Sequence, residues 1–205
     1  MNEKYEVLKI QTTNTALLWK DIHGIATEAT AHKLDIVMLD WMSSLTNALQ
    51  IWIDKGCSMT EGELILARTN LGALVESWLK LFYCVFYEDY LRNPKKDSKG
   101  KIIEPETMSF DALKAFSVGV LWDNQQDQEY LWVDKVQYQR NAIHSFKWRE
   151  IGTAAEFLAD ISSFCDFVDN ILNHFPPIED YIDTYPAGYI PNPYFYVQTK
   201  KDLLF

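Results

Sequence analysis

Apolar residues recur every three or four positions along most of this chain, the spacing that places them on one face of an α-helix. The chain has 205 residues but only 8 Gly and 7 Pro. A β-sandwich or barrel needs more frequent turns than these residues allow. We therefore predict an all-α fold, an up-and-down bundle of five to six helices with an irregular, aromatic and proline-rich C-terminal tail.

Capping and helix-breaking residues divide the chain into segments. Gly24 interrupts the first helical stretch, and Ser58 or Thr60 caps a long central helix. The predicted helices cover 15–54 with the break near Gly24, the region after Thr60 to about 91, 110–120, 123 or 124 to about 146, and 152–174. Five prolines and eight aromatic residues lie in 175–205, so we expect this tail to pack irregularly on the bundle.

Size and composition predict a single domain over residues 1–205. A chain with 48% hydrophobic and 14% aromatic residues can bury a full core and is too apolar to be disordered. No basic stretch followed by an apolar segment opens the sequence, and no apolar run is long enough for a membrane span. Three cysteines without a CxxC spacing suit a reducing compartment. We expect a cytoplasmic protein that does not enter a membrane.

The chain is acidic, with 19 basic and 29 acidic residues and a net charge of −10. This charge repels nucleic acid at long range, so any contact with RNA must be local. Positive charge is concentrated only in the loop 92–108, which carries Lys95, Lys96, Lys99 and Lys101. These four lysines are the candidate RNA-binding residues, provided that the loop lies near a cleft.

Most catalytic and cofactor motifs are absent from the sequence, including GxSxG, GxGxxG, the phosphate-binding GxxxxGK[ST] and HExxH. Glu28, His32 and Asp35 share one helix face, but we interpret them as a solvated polar face with pairing between positions i and i+4. The sequence therefore predicts no metal site and no cofactor.

One cluster remains, the run from Gln139 to Phe146. Arg140 and His144 are four residues apart, so on a helix they share a face and can converge on one small anion. An arginine beside an apolar stripe needs a carboxylate, a phosphate or an open cleft. Glu76 and Asp89 on the central helix are candidate carboxylates.

The segment Arg140-Asn141-Ala142-Ile143-His144, together with the upstream helix ELILARTNLGALVESWLKLF, resembles the HEPN superfamily (higher eukaryotes and prokaryotes nucleotide-binding). This all-α family includes metal-independent ribonuclease toxins, in which two copies of a helix face each other in a homodimer. The family motif is Arg, often followed by a polar residue, then four to six residues and His. Here only three residues separate Arg140 from His144.

The resemblance implies three catalytic residues. His144 would move a proton, Arg140 would hold the phosphate, and Asn141 would orient the reacting group. The nucleophile would be the 2′-hydroxyl of the RNA itself, so no metal is needed. The implied partners are a second copy of the chain, an RNA substrate and an antitoxin-like protein, in a defence or toxin–antitoxin context.

Two alternatives to an enzyme stay open. The chain can be a catalytically silent helical dimer that serves as a binding or regulatory module, because fold alone does not grant function. It can also be a bundle with a small-molecule pocket lined by aromatic residues, although no polar constellation favours one. The sequence is therefore compatible with an enzyme and with either of these two alternatives.

Overall fold

The computed structural model describes residues 2–191 and consists of α-helices, short 3₁₀ turns and loops, with no β-strand in that range. The prediction of an all-α helical bundle is confirmed. Its eight described α-helices are α1 (Asn2–Trp19), α2 (Glu28–Asp35), α3 (Leu39–Lys55), α4 (Glu61–Val85), α5 (Tyr87–Arg92), α6 (Phe110–Phe116), α7 (Gln128–Arg140) and α8 (Ala154–His174). None of them is long and apolar enough to cross a membrane.

Helix α4 is the centre of the bundle. Its start is fixed by a capping box, in which the Thr60 hydroxyl accepts from the Glu63 amide and the Glu63 carboxylate accepts from the Thr60 amide. It packs against α3, α7 and α8 and is apolar around most of its circumference. Leu71, Leu74 and Trp78 are fully buried there. A helix buried on several sides belongs to the interior of a bundle.

The helices are more numerous than the sequence pattern indicates because several predicted stretches are divided. The predicted break at Gly24, with φ +82°, lies in a turn between α1 and α2. Two further breaks were not predicted, one at residues 36–38 between α2 and α3 and one at Phe86 between α4 and α5. Helix α1 begins at Asn2, well before the predicted Thr15. Its buried face includes the hydroxyl-bearing Thr12, so a pattern of apolar residues alone does not detect this part of the helix.

The segment after α8 packs against α1 as far as it is described. Asn14 Nδ2 donates to the Ile190 carbonyl at 2.7 Å, and Asn14 Oδ1 accepts from the Ile190 amide at 3.0 Å. Phe175 meets Trp19 edge to face, and Ile178 is buried. The predicted packing of 192–205 lies outside the described residues.

Candidate functional site

Arg140 is the last residue of α7 and forms an ion pair with Glu76 of α4. Glu76 is one of the two carboxylates that the sequence indicates as partners; the other, Asp89, pairs instead with Arg92. The Arg140 stem lies directly over Gly72, and its guanidinium lies 5.6 Å from the centre of the Phe110 ring. The side chain stays 29% exposed, so solvent still reaches part of it.

Glu76 binds a second cation that the sequence analysis did not single out. Lys80, one turn further along α4, places its Nζ 2.9 Å from Glu76 Oε1. One carboxylate therefore holds two cations, and the cluster of Glu76, Lys80 and Arg140 keeps one excess positive charge. On an acidic protein this charge attracts a small anion at short range.

His144 does not lie on the same α-helix as Arg140, contrary to the predicted helix that ends at about Phe146. Helix α7 ends at Arg140, and Asn141–His144 form a 3₁₀ turn. A left-handed residue, Ser145 with φ +46°, then turns the chain away. Because residues three apart nearly eclipse in a 3₁₀ turn, Asn141 and His144 share a face.

The His144 side chain is exposed, and Asn141 is partly exposed. Within residues 2–191 no hydrogen bond or ion pair engages the side chain of either residue. Both groups are therefore available to a ligand in solution. The Arg140 guanidinium, in contrast, is already paired with Glu76.

An exposed loop follows His144, and we call residues 145–150 the aromatic loop. Phe146 is fully exposed and Trp148 is 79% exposed, which is unusual for large aromatic side chains. Lys147 lies between them, and the guanidinium of Arg149 lies 4.9 Å from the ring centre of Tyr138. Sequence reasoning assigned Phe146 to a helix end and missed this loop, although the alternation of aromatic and basic residues is visible in FKWR.

The four candidate lysines lie elsewhere, in the loop between α5 and α6. Asp97 Oδ1 accepts from the Lys99 and Lys101 amides, and Lys96 pairs with Ile102 across the loop. All four lysines are exposed. No described hydrogen bond or ion pair links them to Arg140, Asn141 or His144. The loop begins after α5 and returns to α4 at its other end, where Glu106 lines the same groove as Ser77 and Lys80.

A buried charge cluster holds α7 in place. Asp160 of α8 binds Arg68 of α4 and Lys135 of α7, and Trp132 Nε1 donates to it at 3.0 Å. Arg68 Nε also donates to the Ile151 carbonyl at 3.1 Å. These contacts join three helices, and on α7 they lie one to two helical turns before Arg140. They therefore position the helix that carries Arg140.

One group of side chains has the residue types of a metal site, namely His23, His32 and Asp35. The interpretation of their helix face as a pairing surface is supported by a 2.8 Å contact between His32 Nε2 and Glu28 Oε1. His23, from the turn before α2, was not included in that interpretation. Its hydrogen bond to Asp35 raises the pKa of His23 and lowers that of Asp35.

Comparisons of the chain with known protein families, with curated proteins and with solved structures found no match.

Proposed function

We propose that this chain is a HEPN-like, metal-independent endoribonuclease that acts in a defence or toxin–antitoxin context. The observation that supports this function best is an exposed, unengaged histidine, His144, four residues after an arginine that a carboxylate holds at the surface. RNA cleavage through the 2′-hydroxyl requires a group that moves a proton and a cation that stabilises the phosphate, and an imidazole and a guanidinium are suited to these roles.

In the proposed mechanism His144 takes the proton from the RNA 2′-hydroxyl, which then attacks the adjacent phosphorus. Arg140 stabilises the negative charge that develops on the phosphate oxygens, and Asn141, on the same face as His144, orients the reacting group. The bond from phosphorus to the 5′-oxygen breaks, and that oxygen takes a proton from water. The products are a 2′,3′-cyclic phosphate and a 5′-hydroxyl.

Substrate binding would use the surface around this pair. Exposed Phe146 and Trp148 can stack on unpaired bases, each stacked base contributing about 1 to 3 kcal/mol, and Lys147 can pair with a phosphate. Lys80 adds positive charge beside Arg140. The exposed lysines of the loop 92–108 would add further contacts to the RNA backbone.

The test is cleavage of total cellular RNA in EDTA by wild type, His144→Ala and His174→Ala, each shown to be folded by circular dichroism. His174 is a matched control, because it is also an exposed histidine near a helix end and its Nδ1 contacts the Asn170 carbonyl at 2.8 Å. We expect a loss of cleavage of about 100-fold or more in His144→Ala alone. Equal cleavage by all three proteins would contradict the role of His144.

A second function, the catalytically silent binding module, is favoured by a different observation. Arg140 already has a carboxylate partner, as a purely structural arginine would. Large apolar side chains are also exposed around a groove of about 390 Å³ between α3 and α4, namely Ile36, Met38, Trp41 and Leu45. Absence of RNA cleavage by wild type would favour this function, with an antitoxin-like protein as the partner to be sought.

A further inference from the structure

The turn before α2 brings a histidine back onto the polar face of that helix. Gly24 adopts a left-handed conformation, and the Ile25 and Ala26 amides both donate to the Ile22 carbonyl. The Thr27 hydroxyl then caps α2. As a result His23 faces the positions i, i+4 and i+7 of the helix, which are Glu28, His32 and Asp35.

Three of these side chains point one ligand atom each at a common centre. Asp35 Oδ2 lies 3.0 Å from His23 Nε2 and 3.5 Å from His32 Nδ1. All three ligand atoms lie within 4.8 Å of one another. A tetrahedral zinc with bonds of about 2.0 to 2.1 Å requires its ligand atoms to be about 3.3 Å apart. The spacing therefore suits one metal ion with little movement of the backbone.

Glu28 lies next to the two histidines, on the side away from the three ligand atoms. Its Oε1 lies 2.8 Å from His32 Nε2, the ring nitrogen that faces away from the centre, and its Oε2 lies 4.0 Å from His23 Nδ1. A metal-binding histidine usually donates its second ring N–H to a carboxylate, which fixes the tautomer and orients the ring. Glu28 is placed to orient His32 in this way, whereas its distance to His23 is too long for a hydrogen bond.

We propose that His23, His32 and Asp35 form a binding site for a divalent transition-metal ion, with Glu28 as the carboxylate that orients the His32 imidazole. Two imidazole nitrogens and one carboxylate oxygen favour Zn²⁺, Co²⁺, Ni²⁺ or Cu²⁺ over Mg²⁺ and Ca²⁺, which take oxygen ligands. The side chains are 38% to 73% exposed, so solvent has access to the fourth coordination position. The bound ion would tie the turn 22–26 to α2.

This site is separate from the proposed ribonuclease site, whose chemistry uses no metal. No described contact connects His23 or His32 to Arg140, Asn141 or His144. Loss of metal binding should therefore leave RNA cleavage intact, and loss of RNA cleavage should leave metal binding intact.

The experiment is calorimetric titration of ZnCl₂ into the full chain, freed of any affinity tag and treated with EDTA before buffer exchange. We expect wild type and the matched control His174→Gln to bind one Zn²⁺ per chain. His23→Gln and His32→Gln should each lose this binding, and Glu28→Gln should weaken it by about tenfold. Circular dichroism before titration verifies that each variant is folded.

Co²⁺ supplies a second readout, because a tetrahedral site with nitrogen ligands gives it visible absorption that ZnCl₂ then removes. No zinc binding by wild type would overturn the proposal and leave a purely ionic cluster. Equal zinc affinity in wild type and His23→Gln/His32→Gln would also overturn it, because the metal would then be held elsewhere. Retained Zn²⁺ binding in Glu28→Gln at full affinity would remove Glu28 from the site.

Discussion

Asp160 shows how a single side chain fixes the relative position of three helices. It belongs to α8, binds Arg68 of α4, and accepts from Trp132 and Lys135 of α7. Arg68 and Asp160 are almost completely buried, and Asp160 is the carboxylate that pairs with Arg68. The candidate catalytic arginine lies at the end of α7, so its position depends on this buried cluster.

Neutralising Asp160 should strongly destabilise the protein. In Asp160→Asn the Arg68 guanidinium stays buried without a counter-charge, and we expect the free energy of unfolding to fall by about 3 to 5 kcal/mol. Urea denaturation measures this change. The matched control on the same helix is Asp166→Asn, whose partner Lys4 is exposed, and its cost should stay below about 1 kcal/mol. Equal costs for the two variants would contradict the importance of the buried cluster.

The three cysteines should differ in reactivity. Burial raises the pKa of Cys84 and of Cys165 to about 12, whereas Cys57 is exposed. Only the thiolate reacts with iodoacetamide, so at pH 8 we expect one alkylated cysteine per native chain and three in denaturant. Mass spectrometry counts the adducts, and Cys57→Ser should show none in the native state. Fast labelling of Cys84 in the native protein would disprove its burial.

At the scale of elements, the closest approach between α4 and α7 depends on Gly72. A Cβ atom at this position would lie 2.6 Å from Arg140 Cβ, a distance that only movement of the two helices can relieve. A glycine in the middle of a helix is otherwise unfavourable. Its presence here lets Arg140 lie against α4 within reach of Glu76.

Gly72→Ala should therefore displace Arg140. We expect a loss of about 1 to 3 kcal/mol in the free energy of unfolding from overpacking, together with a reduced rate of RNA cleavage. Gly62→Ala is the control in the same helix, because nothing lies within 4 Å of the Cβ it adds. That variant should be as stable as wild type or slightly more stable. Thermal unfolding and RNA cleavage by the two variants give the comparison, and an unperturbed Gly72→Ala would contradict the close approach.

The starts of α4, α6 and α8 were predicted because capping is local chemistry, whereas α1 begins at Asn2 instead of Thr15 and α7 is capped by Asp127 instead of Asp123 or Asn124. Thr60, Ser109 and Thr153 all accept the expected amide hydrogen bonds at the starts of α4, α6 and α8. The end of α7 has no such signal, since neither Gly nor Pro follows Arg140 and Ser145 adopts the left-handed turn instead. The position of His144 off the α-helix could therefore not be predicted.

The candidate site shows the same limit. The pairing of Arg140 with a carboxylate of the central helix was predictable, because a partly buried arginine requires a partner. Lys80 lies four residues after Glu76 on α4, so their pairing was visible in the spacing and was missed. The convergence of Arg140 on the same Glu76 depends on which faces of α4 and α7 meet, and the convergence of His23 on α2 depends on a turn. These are tertiary facts that spacing in one sequence does not contain.

At the scale of the whole molecule, the proposed cleft requires two copies of the chain. We expect light scattering during gel filtration to give twice the 23.9 kDa mass of one chain at micromolar concentration. If the proposed HEPN-like assignment holds, the two Arg140–His144 segments would face each other in such a dimer. A strictly monomeric protein with full RNA cleavage would contradict this two-subunit cleft.

The most direct measurement for the proposed activity is the chemistry of the RNA ends. Wild type and His144→Ala are incubated with cellular RNA in EDTA, and the 3′ ends of the fragments are identified. We predict that wild type produces fragments with 2′,3′-cyclic phosphate ends. The His144→Ala variant, folded and with the same oligomeric mass as wild type, should not cleave the RNA. Intact RNA with both proteins, or cyclic phosphates produced equally by both, would contradict a ribonuclease that uses His144.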